Sequence, residues 1–317
     1  MSAQQSLDAS TRWRPWEFGL IALLVVSWFV APQHALLLNE IAILALFTLS
    51  LDLILGFAGI VSLGHAAFFG FAAYTAALFA KHVMPDPLVG MAVAIVAAGA
   101  LGAITSTLVL RGSDLTRLMI TLGVAAILYE LAHKLEFTGG ADGLQGVVMA
   151  PLLGRFEFDL QGRVALGYSL TVLILALLLC RRFVQSPFGL GLKAIRDNRL
   201  RASAIGMNVN ARLAAVYTVA GALAGAAGAL LAQTTGFASL DVLDFHRSAD
   251  VMLVLVIGGT GYLYGGIVGA VAFKILHDLI AWWTPQYWSF WLGLILVTLV
   301  LVGRERLMKP SSWFKQS

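Results

Sequence analysis

Three groupings in the sequence carry residue types that can do chemistry. Ser62 and His65 lie three residues apart, so on a helix the hydroxyl and the imidazole would share a face, the arrangement of a nucleophile and its base. No third orienting group and no oxyanion motif accompanies them, which leaves an intramembrane hydrolase as a minor reading. The small residues around the pair (Gly56, Gly59, Gly64, Ala66, Ala67, Gly70) are explained first by close helix contact. Six glycines between Gly258 and Gly269 suggest a phosphate cradle, but the Lys and Ser/Thr that complete a phosphate loop are missing throughout the chain. Glu130 with His133, and Asp244 with His246, are metal-ligand types whose isolated pairing is the pattern of loop hydrogen bonds. The single cysteine, Cys180, excludes an internal disulfide and a cysteine metal cluster. The reading therefore calls for no catalytic residue, metal or cofactor in this chain.

The elements that must hold these residues are membrane helices. Of 317 residues, 59% are hydrophobic and 12% charged, where a soluble domain has roughly 25% charged. Mean hydropathy is +0.86, and apolar runs of ~20 residues recur along the whole length. No ten-residue alternation of a membrane barrel is present. The expected fold is all-α and polytopic, with about eight to ten crossings and broken or re-entrant segments. Predicted spans are Phe18–Val30, Ala35–Gly56, Phe57–Ala80, Leu88–Leu110, Leu115–His133, Val164–Cys180, Leu213–Gln233, a segment from Ala249 onward, and Trp288–Val302. The first resembles a signal peptide but is expected to stay as the orienting helix. Glu40 and Asp52 fall toward opposite ends of one span, where a carboxylate reaches headgroups or water. Six glycines make a continuous lipid-facing helix after Ala249 unfavourable, so an interruption buried in protein is expected, with Gly258, Gly259 and Gly261 candidates for a translocation path. Trp282, Trp283, Trp288 and Trp291 read as an interfacial belt.

Charge sets the orientation. The stretch Arg181–Arg212 carries seven basic residues against one acid, Asp197, between two apolar runs. With both termini and this loop inside, fifteen of the 21 Lys and Arg face the cytoplasm and five face outward, the bias that membrane insertion favours. The basic residues sit between spans and not on an aromatic-interleaved face, so a nucleic-acid partner is not expected. The implied layout is a cytoplasmic tail over 1–17, a membrane domain over 18–303 with an outer loop at 134–163 and a cytoplasmic loop at 181–212, and a cytoplasmic tail over 304–317. Within the basic loop, Leu190–Ala204 reads as one amphipathic helix with Leu192, Ile195, Leu200 and Ala204 on its apolar stripe, ended by Gly206. Such a helix either lies on anionic lipid or docks in a groove of a soluble partner.

Four stretches in order resemble one family. LGFAGIVSLGHAAFFGFAAYTAALF (Leu55–Phe79), FTGGADGLQGV (Phe137–Val147), SPFGLGLKAIRDNRLRASAIGMNV (Ser186–Val209) and VIGGTGYLYGGIVGA (Val256–Ala270) are similar to the LivM and LivH permeases of branched-chain amino acid ABC importers, the second to the LivM type. The resemblance implies a multi-pass subunit of the bacterial inner membrane that pairs with a LivH-type subunit, two cytoplasmic ATPases and a periplasmic amino-acid-binding protein. It implies that Leu192, Ala194, Ile195, Arg196 and Gly206 belong to the ATPase-coupling element and that Ser62, Gly64 and His65 lie near the translocation path. Leu190, Leu192 and Asp52 depart from the family's usual pattern. The same motifs occur in permeases for urea and aromatic or short organic acids. An ATP-independent channel or secondary transporter is the reading from another class, for which more paired ionisable residues within the spans would be expected.

Overall fold

A computed structural model describes residues 15–30, 32–159, 161–283 and, discontinuously, 286–298. The helices are α1 (Pro15–Val30), α2 (Ala35–Asp52), α3 (Ala66–His82), α4 (Pro87–Val109), α5 (Asp114–Lys134), α6 (Arg163–Val184), α7 (Pro187–Asp197), α8 (Arg199–Ala204), α9 (Val209–Thr235), α10 (Phe245–Gly258) and α11 (Gly265–Trp283). Among the described residues six helices are long and apolar enough to cross a bilayer, those containing α2, α4, α5, α6, α9 and α11, and no strand is formed beyond isolated bridges. The protein is an all-α polytopic membrane protein. The expected tails lie almost wholly outside the described residues, and the predicted span Trp288–Val302 lies outside them in part.

Two helices form the centre. In the span Pro32–Phe57, which contains α2, 78% of the apolar window is buried inside the protomer, and in α9 67%, against 22% in α5. The first two are therefore core elements, and α5 presents most of its surface outward. α9 packs most widely on α4 and α3, and α2 packs on α9, α6 and α11. Small residues make the closeness possible: a Cβ at Gly228 of α9 would stand 1.9 Å from the Phe69 carbonyl oxygen of α3, so only glycine fits that crossing.

Ends and turns follow local chemistry. Asp86 caps α4 by accepting from the Leu88 and Val89 amides at 2.8 and 3.1 Å, with Pro87 in the first turn. Ser113 caps α5. Cys180 is a buried packing residue of α6. In the loop after α5, Thr138 Oγ donates to the Ala132 carbonyl at 2.6 Å. Leu144 pairs with Ala238 through both backbone bonds, at 2.9 and 3.0 Å, so the loop after α5 rests on the one after α9.

The basic loop departs from the single helix expected over Leu190–Ala204. Asn198 takes an extended backbone (φ −159°, ψ 105°), ending α7, and its side chain accepts from the Arg201 amide at 2.9 Å to cap α8. Asn is a strong cap and a poor interior residue, so it splits the segment. The apolar stripe is split with it: Leu192 and Ile195 are fully buried, while Leu200 is 82% exposed and Ala204 is exposed too. Gly206 ends α8 as expected. At φ +84° it lets its own amide bond the Ser203 carbonyl and the Met207 amide bond the Ala202 carbonyl, the paired bonds of a Schellman turn.

Gly228→Val is expected to abolish the monodisperse peak of the detergent-solubilised protein in size-exclusion chromatography, because the added carbons meet backbone and not a movable side chain. Gly123→Ala, where a Cβ meets nothing within 4 Å, is expected to leave that peak and the melting temperature intact or raised.

Candidate functional site

The candidate site is a line of contacts along α2, starting at the basic loop. α2 ends in a π turn, Leu53–Phe57, followed by an irregular stretch up to His65. The sequence reading of one span over Phe57–Ala80 is thus corrected: helix begins only at Ala66, after Gly59 at φ +69° has turned the chain. α7 packs against this turn. Arg196 donates from its guanidinium to the Gly56 carbonyl, and its aliphatic stem lies so close to Gly59 that a Cβ there would be 2.8 Å from Arg196 Cγ. Lys193 Nζ stands 5.6 Å from the centre of the Phe57 ring, a cation–π distance. Behind α7, Arg212 holds the helix from α9, donating to the Phe188 carbonyl at 3.4 Å and lying over that residue's ring.

The glycine-rich break meets α2 at the same point. α10 and α11 are separated by Gly259–Tyr264, and the Gly261 amide donates to Asp52 Oδ1 at 2.7 Å. A Cβ on Gly56 would stand 2.0 Å from that oxygen and 2.3 Å from the Gly261 nitrogen; one on Gly261, at φ +74°, would stand 3.1 Å from Arg196 Nη1. Asp52, Gly56, Gly261 and Arg196 therefore form one latch where three segments distant in sequence converge. The expected interruption is present, but its tip is not buried: Gly258 and Gly259 are, while Thr260 and Tyr262 are exposed. Asp52 is likewise not at headgroups or water. It is 1% exposed, and its second oxygen has no hydrogen-bond partner.

The other sequence-nominated residues lie deeper. His65 is fully buried, its Nε2 2.8 Å from Ser50 Oγ and its ring stacked on Phe47 at 5.5 Å. Ser50 donates its own proton to the Phe47 carbonyl at 2.6 Å, so Nε2–H of His65 is the donor between them and Nδ1 is left an acceptor without partner. Ser62 is not His65's partner. Its hydroxyl is buried without a hydrogen bond, near the Tyr217 hydroxyl but out of bonding geometry, so no nucleophile–base pair is assembled. Gly64 lies against the Thr121 carbonyl, and the Ala66 amide bonds Ser248 Oγ at 3.0 Å. Tyr217 is eight residues into α9, which places this layer about 12 Å along that helix from its basic-loop end.

Beyond Phe47 the line opens into a cavity of about 610 Å³ between α2, α10 and α11. Phe47 and Phe69 floor it, with ring centroids 4.5 Å apart. Lys274 pairs with Glu40 at 2.8 Å and Arg247 with Asp241 at 2.8 Å beside it. At the mouth Asp244 caps α10 through the His246 amide and contacts the His246 ring at 2.8 Å. That backbone bond first, then the ring, holds the Asp244 carboxyl below the ordinary carboxylate range; the carboxylate in turn holds the imidazole above its ordinary value. The carboxyl's contribution is present above the ordinary carboxylate pKa and lost as pH falls through the depressed value. The imidazolium's is present below the ordinary imidazole pKa and lost as pH rises through the raised one.

Of the residues assigned to coupling, Leu192 and Ile195 point into the protein, Arg196 bridges to α2, and Ala194 and Gly206 face outward with Leu200 and Ile205. Of those assigned to the path, Gly261 joins the latch, whereas Ser62, Gly64 and His65 line neither the cavity above nor a smaller one of about 240 Å³ beside Arg181 and Lys193. The sequence reading missed Ser50 and the roles of Gly56 and Asp52. An acid four residues before a glycine inside an apolar run was the available signal.

Two predictions follow the geometry. Asp52→Leu leaves the Gly261 amide without its acceptor and is expected to cost about 1–3 kcal/mol in thermal unfolding of the purified protein, while Asp52→Asn, which keeps a carbonyl oxygen, costs less than half as much. His246→Ala is expected to lower the melting temperature below the imidazole range, with the difference vanishing as pH rises through the raised imidazole value and shrinking again as pH falls through the depressed Asp244 value.

Comparison with known proteins completes the picture. A family described as "Branched-chain amino acid transport system / permease component" matches residues 34–302. The high-affinity branched-chain amino acid transport system permease protein LivM of Escherichia coli (strain K12) is 26% identical over 92% of this chain and 74% of its own length. The galactose/methyl galactoside import permease protein MglC of Salmonella typhimurium is 25% identical over 89% of this chain and 91% of its own. The autoinducer 2 import system permease protein LsrC of Enterobacter sp. (strain 638) is 31% identical over 66% and 62%. No solved structure matches. With the helices from α2 onward, the glycine break and the basic loop inside the matched region, the chain belongs to the family of branched-chain amino acid transport system permease components.

Proposed function

We propose that the chain is the LivM-type membrane subunit of an ABC importer for branched-chain or related hydrophobic amino acids, paired with a LivH-type subunit and working with two cytoplasmic ATPases and a periplasmic binding protein. The observation that carries the reading is the latch. The loop expected to meet the ATPases is bonded through Arg196 to the end of α2, and the other end of α2 lines the cavity shared with α10 and α11. In this scheme both termini and residues 181–212 are cytoplasmic, and the 134–163 loop is periplasmic. The outward faces of α7 and α8, with Leu190, Leu200 and Ile205 exposed among Arg199 and Arg201, suit a groove on a soluble partner better than a lipid surface, because the apolar residues are scattered at a helix break and form no continuous stripe. The loaded binding protein meets Thr138–Val147, which is paired through Leu144 to Ala238, three residues before Asp241 of the cavity lining. ATP-driven closure of the motors then displaces α7, and Arg196 carries that displacement to the π turn and the glycine break. The coupling between two such sites is typically ~1 to 3 kcal/mol.

A second reading keeps the subunit and changes the cargo. MglC is named for a sugar and is similar over most of its length, so a polar solute is the alternative to test.

The experiment is uptake of labelled leucine and of labelled galactose into proteoliposomes holding the full complex. Leucine accumulation with ATP is expected; accumulation of galactose alone would overturn the amino-acid assignment. Arg196→Glu is expected to keep the ATPases bound while lowering uptake per ATP hydrolysed at least tenfold. Unchanged assembly and unchanged uptake in that variant would remove Arg196 from the coupling element.

A further inference from the structure

The cavity between α2, α10 and α11 holds one feature that packing does not use. Asp250, on the second turn of α10, lines it, and among the described residues its carboxylate makes no hydrogen bond and no ion pair; Arg247, His277 and His246 reach it only through their fields. The neighbouring charges are engaged. Lys274 bonds Glu40 at 2.8 Å and Asp278 at 3.5 Å. Arg247 spends two of its five donors on Asp241. A carboxylate beside an apolar floor with no cation against it is unfavourable unless a cation arrives. Below it, Phe47, Phe69, Ile43 and Phe273 offer a surface for an aliphatic group. The volume of about 610 Å³ falls in the range of small-molecule sites.

We infer that this cavity is a binding site for a zwitterion with an apolar tail: a primary ammonium on Asp250, a carboxylate on the unused donors of Arg247 and Lys274, and an aliphatic side chain on the Phe47–Phe69 floor. The inference rests on the import reading for its direction and deepens it by giving the permease its own discrimination, in addition to that of the binding protein. A simple anion is disfavoured, since Asp250 and Glu40 would repel it. A sugar lacks both the charge for Asp250 and the tail for the two rings. The site also stands in line with the latch: Phe47 is stacked on His65, and His65 bonds Ser50, two residues before Asp52 on α2. Occupancy would thereby bear on the helix that Arg196 holds.

The same ammonium chemistry is carried by phosphatidylethanolamine, and the test separates the two sources. The assembled complex, without binding protein, is placed in phosphatidylcholine nanodiscs and its equilibrium binding of labelled L-leucine is measured. Leucine is expected to bind, with isocaproate (no ammonium) and leucinol (no carboxylate) each weaker by tenfold or more. Asp250→Asn, nearly isosteric, is expected to weaken leucine at least tenfold, leave isocaproate unchanged and keep the ligand-free melting temperature. Phe47→Ala is expected to weaken all three. Equal leucine affinity in Asp250→Asn and the native protein overturns the site, as does a complex that binds no leucine in phosphatidylcholine nanodiscs but gains an Asp250-dependent rise in melting temperature when phosphatidylethanolamine is added. Leucine binding that depends on Asp250 in a complex that accumulates no leucine would instead sink the import reading and leave the site standing.

Discussion

A backbone break inside a membrane bundle exposes amides that hydrocarbon cannot satisfy, and the structure of this permease depends on how that is resolved at one point. The Gly261 amide is taken up by Asp52 and the Gly56 carbonyl by Arg196, so two side chains replace the helical partners that the π turn and the glycine break gave up. Side-chain volume at Gly56 or Gly261 would separate the groups. Small residues here do more than let helices touch; they allow charged groups to reach the backbone.

Because the latch joins the end of α2 to both the basic loop and the α10–α11 break, α2 is the natural rigid connector of the molecule. Its 18 residues span about 27 Å, of which about 18 Å runs from Asp52 in the latch, past Ser50 and its partner His65, to Glu40 at the cavity. Four polar groups along it find partners on neighbouring segments: Asp52 on the break, Ser50 on His65, Asn39 on Ser169 and Thr234, Glu40 on Lys274. A displacement of α2 must therefore be accommodated by several helices at once. That is the requirement for a two-state element, since packed interfaces shift between discrete arrangements and do not stretch.

Much of this was legible in residue order. Fold class follows from composition and apolar run length, the glycine break from six glycines in twelve positions, the cap at Gly206 from a glycine after a basic amphipathic segment. The two-helix form of that segment was not read. Asn198 is compatible with a helix interior at modest cost, and its capping role appears only when the backbone has turned. Likewise, a helical pattern over Phe57–Ala80 is satisfied by hydropathy alone, and hydropathy cannot distinguish helix from a protected irregular stretch.

The sequence by itself determined that the chain lies in a membrane, which loop carries the excess of basic charge, and where continuous helix becomes unfavourable, because these depend on transfer free energies and backbone preferences of residues taken in order. Only the tertiary structure decided who partners whom. That Asp52 serves Gly261 across the bundle, that His65 turns to Ser50 and away from Ser62, and that Asp250 faces a cavity with no cation against it are properties of convergence among segments up to two hundred residues apart. Side chains on adjacent turns know their neighbours from spacing; those on different helices meet only after packing has chosen the faces.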